Sequence, residues 1–135
     1  MLPLEADPVS PPETVQILVV EDEALTRFVM AEALRDLGAT AIEAATADEA
    51  WQYLTTGTQV DVVFTDHRMP GKMTGVELAV RVRAEFPAIK VVGTSAFFNP
   101  VDWPVTVIAK PYRLLEIAKM LADLARSNRA TGRTP

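Results

Sequence analysis

Two periods alternate along this chain, and that alternation constrains its fold more than any other feature. Short continuous apolar runs take turns with longer segments in which apolar residues recur every three or four positions. Residues 17–20 (Ile-Leu-Val-Val) read as a buried strand. Leu25, Phe28, Val29, Ala33, Leu34 and Leu37 then follow at helical spacing, with Gly38 as the stop. Residues 40–44 are short and mixed, as in an edge strand. Thr46 with Glu49 spells a capping box before a helix whose apolar face is Ala47, Ala50, Trp51 and Leu54. Residues 61–65 form another strand. Thr74 with Glu77 opens a helix that ends near Phe86, before Pro87. Residues 89–94 and 105–109 are β-rich, and Leu114, Ile117, Ala118, Leu121 and Ala125 line a last helix.

Strand and helix in turn, broken only between residues 94 and 105, predict an α/β fold, a doubly wound parallel sheet covered by helices on both faces. The expected architecture is a flavodoxin-like (βα)5 sheet of order 2-1-3-4-5. The 135 residues suit one domain. Four of the ten prolines fall in the first twelve residues, so 1–14 reads as a flexible arm. Residues 15–126 are the expected domain, and 127–135, polar and aperiodic, a flexible tail. A net charge of −5 argues against a nucleic-acid partner, and the absence of cysteine excludes disulfides and thiolate sites. The apolar runs fall far short of the ~18 residues of a membrane span. No basic, apolar leader opens the chain, so a cytoplasmic location is expected.

Open parallel sheets gather function beyond the carboxyl ends of their strands, where strand order reverses. At those ends stand Glu21-Asp22-Glu23 after the first strand, Asp66 after the third, Thr94-Ser95 at the fourth and Lys110 after the fifth. With strands 1 and 3 adjacent, Glu21, Asp22 and Asp66 converge. Clustered carboxylates repel, and a hard cation such as Mg²⁺ relieves the repulsion while keeping room for phosphate oxygens. An ammonium and a hydroxyl opposite suit a tetrahedral anion, and an aspartate can attack a phosphoryl donor.

These residues resemble the response-regulator receiver domain of two-component signalling, in its standalone bacterial form. The resemblance spans about residues 15–126 and rests on Glu21-Asp22, on Asp66-His67-Arg68-Met69-Pro70-Gly71, on Ser95-Ala96 and on Lys110-Pro111. It implies that Asp66 accepts a phosphoryl group from a phosphohistidine. It implies that Asp22, Asp66 and the backbone carbonyl of Arg68 hold Mg²⁺, with Glu21 on metal-bound water. Lys110 would pair with the phosphoryl oxygens and Ser95 would move to hydrogen-bond them. Thr94 is the rival hydroxyl. The Lys110–Pro111 peptide is expected to be cis. The implied partners are a histidine kinase or a histidine phosphotransfer protein, with a downstream protein unnamed.

Other residues carry plainer readings. Glu23 reads as a first-turn acid of the first helix. His67, the sole histidine, should turn away from the Asp66 side. Gly71-Lys72 lacks the spacing of a P-loop.

The chain departs from the family between Ser95 and Lys110. Residues 96–104 (Ala-Phe-Phe-Asn-Pro-Val-Asp-Trp-Pro) are the only room for the usual fourth helix, and both prolines oppose one. That helix is expected to be absent or cut to about one turn. The family's switch aromatic falls on Val107, which has no ring; Phe97, Phe98, Trp103 or Tyr112 are the rings left to replace it. The first three stand equally as a partner surface or as filling for the missing helix. The leading reading is a phosphoacceptor whose modification alters protein binding. Its rivals are a degenerate receiver that only binds partners and a Mg²⁺-dependent phosphohydrolase. The hydrolase is opposed by Arg68 where a second carboxylate is needed.

Overall fold

In the computed structural model of the chain, the structure describes residues 14–67, 71–96 and 105–132. The elements in chain order are β1 (Gln16–Val20), α1 (Ala24–Asp36), β2 (Thr40–Ala44), α2 (Ala47–Thr55), β3 (Val62–Asp66), α3 (Gly75–Glu85), β4 (Lys90–Ser95), β5 (Thr106–Ala109) and α4 (Leu114–Gly132). All strand pairs are parallel, in the order β2-β1-β3-β4-β5. The flavodoxin-like architecture is therefore the observed one. The expected reduction of a helix between β4 and β5 concerns residues 97–104, which lie outside the described residues. The fourth described helix follows β5.

Alternation along each strand sends side chains to two cores. Ile17, Val19, Val62, Phe64 and Val92 face α1 and α4, where Met30, Leu34, Ala118 and Leu121 meet them. Leu18, Val20, Val63 and Val91 face α2 and α3, against Leu54, Leu78 and Val82. No described helix is long and apolar enough to cross a membrane.

Helix ends follow their caps closely. At α3 both arms of the capping box form: Glu77 N donates to Thr74 Oγ1 at 3.1 Å, and Thr74 N donates to Glu77 Oε1 at 2.8 Å. Thr74→Ala is expected to cost about 1 kcal/mol, read as a lower urea midpoint. At α2 the box is displaced by one residue. Glu49 N donates to Thr46 Oγ1, but the Glu49 carboxylate takes the N–H of Ala45 rather than that of Thr46. Gly38 stops α1 as expected, at a φ of 87° with its N–H on Arg35 O.

Two expectations are corrected. The apolar face of α1 is only in part the one the spacing suggested: Ala33 and Leu34 are buried as expected, together with Met30 and Ala31, whereas Leu25, Phe28, Val29 and Leu37 are exposed. The helix carries apolar residues on more than one side, and the side rich in small residues packs against the sheet. The last helix does not end near 126 but runs to Gly132. Asn128 and Arg129 hold its final turns to the start of β3, through Asp61. That contact is invisible to a periodicity argument, because polar side chains make it.

Candidate functional site

The carboxyl ends of β1, β3 and β5 bring four charged residues together. Glu21, directly after β1, is 7% exposed. Asp66 is the last residue of β3, rather than the first beyond it. Carboxylate oxygens of Glu21, Asp22 and Asp66 lie within 4.8 Å of one another. Lys110 Nζ donates to Asp66 Oδ2 at 3.1 Å and stands 3.6 Å from Glu21 Oε1. The peptide joining Lys110 to Pro111 is cis.

The backbone fixes these side chains in place. Glu21 Oε2 accepts the N–H of Glu23, and Arg27 Nη1 donates to the Glu21 carbonyl at 2.8 Å. Asp66 Oδ1 accepts the N–H of His67 at 2.8 Å, and that N–H also reaches Thr94 O. Gly75, the first residue of α3, donates to His67 O at 3.0 Å.

Electrostatics follow from this crowding. Burial, reinforced by the Asp66 charge, pushes the Glu21 carboxyl above its ordinary pKa against the lowering effects of the Glu23 N–H and Lys110. Burial disfavours the Lys110 ammonium, but the hydrogen bond and charge of Asp66, with Glu21, outweigh it and hold its pKa high. Burial likewise raises the Tyr112 hydroxyl. Three oxygen-donor carboxylates with one cation for two of them leave negative charge uncompensated. That donor set fits a hard divalent ion.

The remaining expected residues distribute as follows. Ser95 and Thr94 are both buried at the end of β4, with Thr94 the register partner of Asp66. Val107 is half-buried against the core under α2 and α3, and Tyr112 packs edge-to-face on Phe64 with ring centroids 6.0 Å apart. Glu23 stands at the N-cap position of α1, one residue ahead of the expected first turn, and accepts from the Thr26 hydroxyl. Arg68, Phe97, Phe98 and Trp103 lie outside the described residues. An apolar groove of about 650 Å³ runs beside Lys110, lined by Leu25, Val29, Pro111, Tyr112 and Leu114.

Sequence reasoning missed two residues that fix the approach to α3. Asp48, in the first turn of α2, accepts the N–H groups of Lys72 and Met73 with one oxygen, at 3.1 and 3.3 Å. As an acid at a helix start it reads as an ordinary dipole partner, so nothing marked it. Gly75 is different, because a glycine inside the first turn of a capped helix weakens the helix and signals close approach.

Comparison with known proteins agrees with this geometry. The family model described as "Response regulator receiver domain" matches residues 17–121. A chemotaxis protein CheY homolog of Campylobacter jejuni is 40% identical over 72 residues, 53% of this chain and 55% of that protein. The chain thus spans about half the length of that curated relative. The sensor kinase CckA of Brucella abortus is 31% identical over 116 residues, 80% of this chain but 12% of the kinase. Among solved structures, the receiver domain of the hybrid histidine kinase CckA superposes with a TM-score of 0.70 at 29% identity, covering 82% of this chain and 98% of that one. A receiver domain of an HD-domain protein from Pseudomonas fluorescens gives a TM-score of 0.77 at 19% identity, over 87% and 99% of the two chains, a likeness of fold.

Proposed function

The chain belongs to the response regulator receiver domain family, and we propose on that premise that Asp66 is its phosphoacceptor, taking a phosphoryl group from a phosphohistidine. The observation that carries this reading is the meeting of Glu21, Asp22 and Asp66 within 4.8 Å, with Lys110 on Asp66 Oδ2. Mg²⁺ would be held by Asp22, Asp66 and the backbone carbonyl of Arg68, with Glu21 orienting bound water, and it would neutralise charge on the transferring group.

An Asp66 carboxylate oxygen attacks phosphorus while the P–N bond breaks. Its electron pair returns to the imidazole, which leaves as the neutral ring because its other nitrogen already carries a proton in the donor. Lys110 follows the charge from the carboxylate to the phosphoryl oxygens, and Ser95 supplies a hydroxyl from the neighbouring strand. The donor is a histidine kinase or a histidine phosphotransfer protein in the cytoplasm. Leu25 and Val29, exposed on α1 and lining the groove beside Lys110, suit its docking. Phosphorylation then changes the binding of a protein partner.

Incubation with Mg²⁺ and acetyl phosphate is expected to add one phosphoryl group, seen in the intact mass. Asp66→Asn is expected to abolish it. A label that survives Asp66→Asn places the acceptor elsewhere. A second reading, a receiver that only binds partners, draws on the ringless Val107; it predicts no label and no Mg²⁺ binding in the unaltered chain.

A further inference from the structure

Among the described residues, Thr94 Oγ1 is the one buried side-chain polar atom without a hydrogen-bond partner, in a residue 2% exposed. A buried hydroxyl left unpaired is destabilising. Its position says what would pair with it. Strand β4 lies between β3 and β5, and Thr94 is the register partner of Asp66 on one side and of Ile108 on the other. Phe64, Val92 and Ile108 belong to the core under α1 and α4. Alternation therefore puts Asp66, Thr94 and Lys110 on that same face.

Lys110 leaves from the end of β5, yet its Nζ ends 3.1 Å from Asp66 Oδ2 on β3. The side chain crosses β4, and the β4 residue facing it at the level of Asp66 is Thr94. Ser95 is the last residue of β4 and by alternation starts from the opposite side of the sheet, so it would reach the phosphoryl group around the strand end and not from beneath Lys110. An ammonium has three N–H donors. One goes to Asp66 Oδ2, and the 3.6 Å to Glu21 Oε1 is too long for a hydrogen bond.

We propose that Thr94 is a positioning residue for Lys110. The inference rests on the phosphoacceptor reading above. When Asp66 is phosphorylated, its carboxylate becomes an acyl phosphate and loses its charge, and the ammonium turns toward the phosphoryl oxygens. Thr94 Oγ1 then accepts an N–H of Nζ from beneath and fixes that direction. The hydroxyl unpaired in the unmodified chain is paired in the modified one.

The test uses the full chain with Mg²⁺ and beryllium fluoride, which forms a tetrahedral phosphoryl mimic on a carboxylate. Thr94→Val keeps the shape and removes the hydroxyl. Without ligand it is expected to raise Tm by about 2–5 °C, because an unpaired group is gone. It is expected to weaken beryllium fluoride binding by about tenfold, read from ligand-dependent stabilisation. Thr94→Ser should keep the wild-type affinity, and in a Lys110→Met background Thr94→Val should change affinity little. Opposite signs in the two measurements are what a purely structural hydroxyl does not give. A Thr94→Val chain that binds beryllium fluoride like wild type, or that loses stability without ligand, overturns this inference alone. An unaltered chain that does not respond to Mg²⁺ and beryllium fluoride overturns the phosphoacceptor reading, and this inference with it.

Discussion

Gly75→Ala is expected to dismantle the third helix and the phosphoacceptor site together. A Cβ at this position falls 1.8 Å from the Asp66 carbonyl oxygen, 2.9 Å from its carbon and 3.1 Å from Thr65 Oγ1. The obstacle is backbone of a central strand, so no side-chain rotation relieves it. Overpacking in a core costs about 1–3 kcal/mol when neighbours can shift, and here at least about 3 kcal/mol is expected. The displaced α3 would also lose the bond from Gly75 N to His67 O, and with it the tie between α3 and the end of β3. Urea unfolding and phosphorylation by acetyl phosphate read the two effects. Gly57→Ala is the control: its φ of 84° makes a side chain unfavourable, but nothing lies within 4 Å. It should cost about 1 kcal/mol and leave phosphorylation intact. A Gly75→Ala protein with the urea midpoint of wild type would falsify the close-approach account.

The sequence legibility of this fold differs between its layers for physical reasons. Strand positions were readable because buried parallel strands must be apolar throughout, as in residues 17–20 and 62–64. Glu21, Asp22, Asp66 and Lys110 were readable because strand ends are where such sheets gather charge, and the structure brings those four together. The packed face of α1 was not. Leu25 and Phe28 have the same spacing as Ala33 and Leu34, yet only the latter pair is buried, beside Met30 and Ala31, which the spacing did not single out. Asp61 and Asp48 were equally hidden. Each is an ordinary acid in sequence, and only the partner, Arg129 for one and the Lys72 and Met73 amides for the other, separates it from a solvated side chain. The unpaired hydroxyl of Thr94 is a property of its surroundings and has no local sequence signal at all.

Arg129→Met should be among the most destabilising substitutions, although it lies in the stretch whose composition reads as a loose tail. Asp61 is fully buried at the amino end of the sheet. Its Oδ2 accepts from Gln16 N at 2.7 Å and from Arg129 Nη2 at 2.6 Å, and its Oδ1 from Arg129 Nε at 3.2 Å. Asn128, beside Arg129, donates to the carbonyls of Asp61 and Ala88. The end of α4 thereby ties together the starts of β1 and β3 and the approach to β4. Removing the guanidinium takes away the cation that contacts this fully buried carboxylate at 2.6 Å. Breaking a buried pair costs about 3–5 kcal/mol, and the lower end applies here because the Arg129 side chain keeps 17% exposure. The second variant decides whether charge is the cause. Asp61→Asn added to Arg129→Met removes the stranded charge and keeps an oxygen for the Gln16 N–H, so the double variant should be more stable than Arg129→Met alone. Equal urea midpoints for the two would mean that Arg129 acts by packing and not by neutralising Asp61. Beryllium fluoride affinity should change in neither variant once both are folded, because this latch sits at the opposite end of the strands from Asp66.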